Sequence, residues 1–126
     1  MNQLIEHPLP FGVYSAVLGR VEHLHLSGEL DMATVPVLEK FLEDAQGKGR
    51  TGIVLNLKLL TFMDASGLNS FLRAAKQAAQ NGQDFQLINP GSVAQRILKI
   101  TRTGYLLEQN LTSPPNGAIR LIDATF

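Results

Sequence analysis

The sharpest constraint in this chain is a change of hydrophobic period between residues 51 and 79. Residues 51–57 (TGIVLNL) are apolar almost without a break, the pattern of a strand buried on both faces of a parallel sheet. After a short link, Leu68, Phe71, Leu72, Ala75 and Ala79 recur at helical spacing until Asn81-Gly82 stops them. A buried strand that feeds an amphipathic helix is half of a βα unit, and a fold for this chain has to be assembled from such units.

The flanking segments repeat the pattern. Residues 7–12 (HPLPFG) are punctuated by proline and glycine and are expected to be irregular. Residues 14–17 and 21–27 read as strands joined at Leu18-Gly19-Arg20; in the second, Leu24 and Leu26 alternate with His23 and His25. Gly28-Glu29-Leu30-Asp31 then breaks the alternation. Residues 34–45 carry Leu38, Phe41, Leu42 and Ala45 on one helical face and Glu39, Lys40, Glu43 and Asp44 on the other. Pro36 is tolerated there because it lies in the first turn. Residues 85–88 form another buried-type strand, and Asn89-Pro90-Gly91-Ser92 opens a third helix with Val93, Ile97 and Ile100 facing inward. Residues 105–107 read as a short strand or turn, 112–117 (TSPPNG) as a loop, and 118–126 alternate in a strand-like way.

The order β-β-α-β-α-β-α predicts one α/β domain over residues 1–126, with a core of about 10–108 and a C-terminal extension over 109–126. Its sheet should be mixed and mainly parallel, with four to five strands. If the strands add in sequence, right-handed crossovers put the helices chiefly on one face. The other face, carrying His23 and His25, would then be partly exposed.

Composition excludes several functions. Eleven basic residues balance eleven acidic ones, so the chain lacks the positive charge on which general nucleic-acid affinity rests. Without cysteine it has no disulfide framework, thiolate nucleophile or cysteine metal site. No apolar run approaches the roughly 20 residues of a membrane span, and the N-terminus lacks the pattern of a signal peptide. A cytoplasmic protein is expected, without nucleic-acid or membrane partners and without a cofactor.

The chemistry-bearing candidates cluster at residues 61–68 (TFMDASGL). Ser66 is expected at the N-cap of the helix that Leu68 opens, near free backbone N–H groups and the positive end of the helix dipole. That position suits a capping hydroxyl, and equally a phosphate carried on it. Asp64 either tunes that acceptor or caps the turn, and Asp31 suits the cap of the first helix.

Residues 26–42 (LSGELDMATVPVLEKFL) and 53–82 (IVLNLKLLTFMDASGLNSFLRAAKQAAQNG) resemble the STAS family, and within it the bacterial anti-sigma-factor antagonists. The helix opening at Asn89-Pro90 is similar to the family's last core helix. The resemblance implies that Ser66, directly before Gly67, is phosphorylated by an anti-sigma factor that is itself a GHKL-type serine kinase, and that a PP2C-type phosphatase reverses this. It implies that Asp31, Asp64, Ser66, Gly67 and Leu68 meet that partner. One position departs from the pattern: Ala65 stands where such loops carry Ser or Thr, which leaves Ser66 as the sole acceptor.

Other readings are weaker. A hydrolase elbow needs Gly-x-Ser-x-Gly, which residues 63–68 lack, and no histidine follows Ser66. Neither a Gly-rich phosphate loop nor a metal-ligand cluster is present, so no enzyme is expected. His23 and His25 at i, i+2 lack a third ligand nearby and read as solvated strand residues. Arg96, Lys99 and Arg102 form a basic stripe, either a wet face or a partner-binding edge. The main competitor is a STAS scaffold without a switch, serving a stress-sensing or lipid-transport complex.

Overall fold

The structure is a computed structural model and describes residues 11–100 and 120–122. Five strands, β1 (Phe11–Leu18), β2 (Val21–Leu30), β3 (Gly52–Met63), β4 (Asp84–Ile88) and β5 (Arg120–Ile122), lie side by side in chain order. β1 runs antiparallel to β2, and β2 through β5 are parallel. Helices α1 (Val35–Gln46), α2 (Ala65–Gln80) and α3 (Gly91–Ile100) fill the connections. The mixed, mainly parallel sheet expected from the sequence is the sheet found, and its fifth strand comes from the strand-like tail.

One face of the sheet meets the helices. Leu24 of β2 pairs in register with Leu55 of β3, and Leu55 with Leu87 of β4, so these side chains point the same way. With Leu26, Ile53, Leu57 and Phe85 they enter one apolar cluster that also holds Leu38 and Leu42 of α1, Phe71 and Ala75 of α2, and Ala94 and Leu98 of α3. The opposite face carries His23, Val54 and Gln86 in one row and His25, Asn56 and Ile88 in the next.

β2 and β3 both extend past their sequence-based limits. Gly28-Glu29-Leu30 does not leave the strand, and residues 58–63 stay in β3. Pairing shifts between His25 and Ser27 and again between Gly28 and Glu29, each time setting one extra residue into β3. These bulges break the period of two while the ladder continues. The Asn56 side chain supports the first one: its Oδ1 accepts the Lys58 N–H at 3.0 Å and the Asn89 Nδ2 at 3.3 Å. Phe11 and Gly12, read as irregular, open β1 by pairing with Gly28 and Ser27.

Three helix faces differ in detail. In α1 the buried set is Val35, Leu38, Leu42 and Ala45, with Phe41 at its margin. In α2, Leu68, Phe71 and Ala75 are buried as expected, but Ala74 and Ala78 join them while Leu72 and Ala79 are only half-buried. In α3 the buried pair is Ala94 and Leu98, with Val93 and Ile97 at the flank. At Ala74, Ala78 and Ala94 the buried row runs through small residues that carry little hydrophobic signal, whereas Leu98 is a large residue buried in the same way as Phe71. The side chain of Ile100, together with residues 101–119, lies outside the described residues; this covers Arg102, the short element at 105–107 and the loop at 112–117.

Candidate functional site

The C-terminal ends of β2 and β3 lie together, since Leu30 pairs with Met63 and the Asp64 N–H donates to the Leu30 carbonyl at 3.3 Å. Each strand runs from there into a turn built on an aspartate. Asp31 Oδ1 accepts the N–H of Ala33 at 2.9 Å and of Thr34 at 3.0 Å. The Thr34 hydroxyl accepts the Asp31 N–H at 2.9 Å and donates to the Glu29 carbonyl at 2.8 Å, closing the turn onto β2. Asp31 thus orders the turn before α1, and Thr34 holds the cap position without a side-chain cap of its own.

The second turn corrects the expectation for Ser66. Asp64, extended at φ −117°, is the N-cap of α2, and Ser66 is the second helical residue. Asp64 Oδ1 accepts the N–H of Ser66 at 2.9 Å and of Gly67 at 3.3 Å, and the Ser66 hydroxyl donates to the same oxygen at 2.5 Å. Donated hydrogen bonds stabilise the charged form. The Ser66 hydroxyl first, then the two N–H groups, hold the Asp64 carboxyl below the ordinary carboxylate range against the opposing effect of partial burial. Ser66 and Asp64 are both half-buried, between exposed Ala65 and buried Gly67.

Gly67 joins the two turns by close approach. A Cβ there would stand 2.9 Å from Leu30 Cδ2 and from Met63 Cγ. Leu30 is wholly buried, so only glycine lets α2 start this close to the end of β2. Leu68 is buried beneath the turn and is a core residue. Asp31 and Asp64 therefore flank a common edge, with Ser66 beside them and Met32, 79% exposed, on the α1 side.

An open groove of about 320 Å³ adjoins this edge, between residues 61–63 of β3 and Ser92, Val93, Arg96 and Ile97 of α3. Sequence reasoning missed it because its walls are far apart in the chain. Phe62, a large apolar residue left exposed one position before the end of β3, marks its wall.

The two histidines separate in environment. His23 is buried and His25 half-buried, with the Tyr14 ring 5.7 Å from that of His25. The solvated reading fails for His23 because Val54 of β3 stands beside it. Burial, and after it the neighbouring His25, push the His23 pKa down. Among the described residues, no group of three or more His, Cys, Asp or Glu side chains could hold a metal ion, and no helix is long and apolar enough to cross a membrane.

Comparison with known proteins adds to this geometry. Residues 16–108 match the family described as "Mlab, STAS domain". The anti-sigma-B factor antagonist of Staphylococcus aureus is 32% identical over 85 residues, which cover 68% of this chain and 79% of that protein. Among solved structures, an anti-sigma factor antagonist from Mycobacterium paratuberculosis superposes with a TM-score of 0.70 at 18% identity, covering 92% of this chain and 87% of that one. The Bacillus cell fate determinant SpoIIAA in its phosphorylated form gives 0.65 at 22% identity, covering 90% and 92%. At those identities the structural likeness speaks for the fold.

Proposed function

The chain belongs to the STAS domain family, and from that premise we propose that it is an anti-sigma-factor antagonist switched at Ser66. In the unphosphorylated state it binds an anti-sigma factor and frees the sigma factor. The anti-sigma factor is a GHKL-type serine kinase that phosphorylates Ser66, the phosphorylated form lets go, and a PP2C-type phosphatase restores the active form. The protein is a regulatory module of the cytoplasm and not an enzyme. Its STAS core takes in about residues 10–108.

The observation that carries this reading is the setting of the Ser66 hydroxyl, half-buried at the first turn of α2 and flanked by the turns of Asp31 and Asp64. A surface closing over that hydroxyl meets a small neutral group. After phosphorylation it meets about −1.5 to −2 charges beside the Asp64 carboxylate. Asp31, Asp64 and Ser66 supply the rim of the contact, and buried Gly67 and Leu68 support it from beneath.

One observation favours a second reading. Asp64 already occupies the N–H groups of the helix start, so that start carries an anion without any phosphate. A STAS scaffold with no switch would need nothing more. Incubation with ATP and the anti-sigma kinase of the same genome separates the two: intact mass should show one phosphoryl group on wild-type protein and none on Ser66→Ala. No gain on wild type, or an equal gain on the variant, contradicts the switch.

A further inference from the structure

The basic stripe of α3 and the groove beside it are not used by the switch. β4 pairs with β3 only as far as Asn56, so among the described residues β3 has no strand partner on that side from Leu57 to Met63. α3 packs against this stretch and leaves the groove of about 320 Å³ along residues 61–63. Its walls are mostly apolar: Phe62 is 46% exposed, Val93 and Ile97 are half-buried, and Met63 forms the floor.

The charge around the groove is mixed, with Glu29 in register with Phe62 on β2 and Asp64 next after Met63, but the charged side chain that lines it is a cation. Arg96 lines it, and Lys58 and Lys99 are exposed on the two elements that form it. The ion pairs among the described residues are Lys48–Asp44, Arg50–Glu22 and Arg73–Glu39, and none involves these three cations. An apolar slot with a guanidinium at its wall that pairs with no carboxylate among the described residues is complementary to an apolar side chain flanked by carboxylates.

The groove is also continuous with the Ser66 turn. Met63 lines it, precedes the Asp64 cap, and has its Cγ at 2.9 Å from the place a Gly67 Cβ would occupy. One partner can therefore cover both.

We propose that this groove is a second contact for the anti-sigma factor, receiving an acidic segment of it whose apolar side chain enters between Phe62 and Val93 while its carboxylates meet Arg96. This rests on the function proposed above and assigns it a specificity element that phosphorylation does not touch. A partner lacking the acidic segment is refused even when Ser66 is unmodified.

The test is calorimetric titration of the anti-sigma factor from the same genome against wild type, Arg96→Glu, Val93→Asp and Ser66→Asp, with amide shifts followed by NMR. Arg96 and Val93 lie outside the fully buried core, and matching thermal melts would show that the variants fold. Arg96→Glu should weaken binding at least tenfold and flatten its salt dependence. Val93→Asp should weaken it similarly, and amides of residues 61–63 and 92–97 should shift on complex formation. Wild-type affinity in both α3 variants, with Ser66→Asp weakened, overturns the groove contact and leaves the switch standing. No binding by wild type overturns both. Groove amides that move on dilution alone, or with dodecanoate and not with the anti-sigma factor, assign the groove to a second copy or a lipid and overturn the proposal.

Discussion

Replacing Gly67 with Ala tests how tightly the turn of α2 is held against the end of β2. In an open helical position this change stabilises by roughly 0.5–1 kcal/mol, because alanine has the better helix propensity. Here the new methyl would lie 2.9 Å from Leu30 Cδ2 and Met63 Cγ and 3.0 Å from Leu30 Cγ. Met63 borders the groove and can give way into it, but Leu30 is 0% exposed and held inside the core, so the clash with its Cδ2 and Cγ remains. Overpacking of this kind costs about 1–3 kcal/mol, and against the propensity gain the steric term wins. Gly67→Ala should be destabilised by about 1–2 kcal/mol, which for a domain of this size lowers the melting temperature by roughly 4–8 °C. Urea and thermal unfolding followed by far-UV circular dichroism will read this, since the chain has no tryptophan to report by fluorescence. A variant as stable as wild type, or more stable, would refute the close approach and with it the mechanical link between the Asp31 and Ser66 turns.

Three further outcomes are expected. Phe71→Ala, at a wholly buried centre of the core, should cost about 3–5 kcal/mol, and Leu72→Ala, half-buried, about 1–2; equal losses in denaturant titrations would contradict the observed face of α2. Asp64→Ala should cost about 0.5–2 kcal/mol at pH 7 through the lost cap. Because the folded pKa of Asp64 is depressed, its stabilisation is present above the ordinary value and lost as pH falls through the folded one, so the gap between wild type and variant should close toward pH 2. His23 is also depressed: stability should be full above its ordinary value of 6.5 and decline as the pH drops below it. His23→Gln should flatten that decline in urea titrations from pH 7.5 to 5, and an unchanged profile would contradict its burial.

The sheet was legible because buried parallel strands and amphipathic helices differ in period, and residues 51–82 display both. Boundaries were harder where bulges interrupt the alternation. Residues 58–63 remain strand although Lys58 and Leu59 are both exposed in succession, a pattern with no period to read. Helix faces were misjudged where the tightest contacts use alanine, as at Ala74, Ala78 and Ala94, because the eye follows bulk along a helix and packing follows available space. At the site, the motif placed Ser66 on the first turn of its helix, but both Asp64 and Ser66 are good caps. The backbone decides between them, and Asp64 is the extended residue. Burial of His23 depends on neighbouring strands, and the groove depends on β4 ending at Ile88 while β3 runs on to Met63. Neither is a property of any one segment.

The central claim is that charge on Ser66 controls binding while leaving the fold intact. A dianion at a helix start is locally tolerated, so its effect should fall on the partner, which would have to desolvate it beside Asp64. A loss of about 3 kcal/mol at that contact weakens binding more than a hundredfold. The most direct measurement is calorimetric titration of the anti-sigma factor, with ADP present, against wild-type, Ser66-phosphorylated, Ser66→Ala and Ser66→Asp protein, alongside their thermal melts. Wild type and Ser66→Ala should bind alike, the phosphorylated and Asp forms should bind at least a hundredfold more weakly, and all four should melt within a few degrees. Equal affinity across the four forms would contradict the switch.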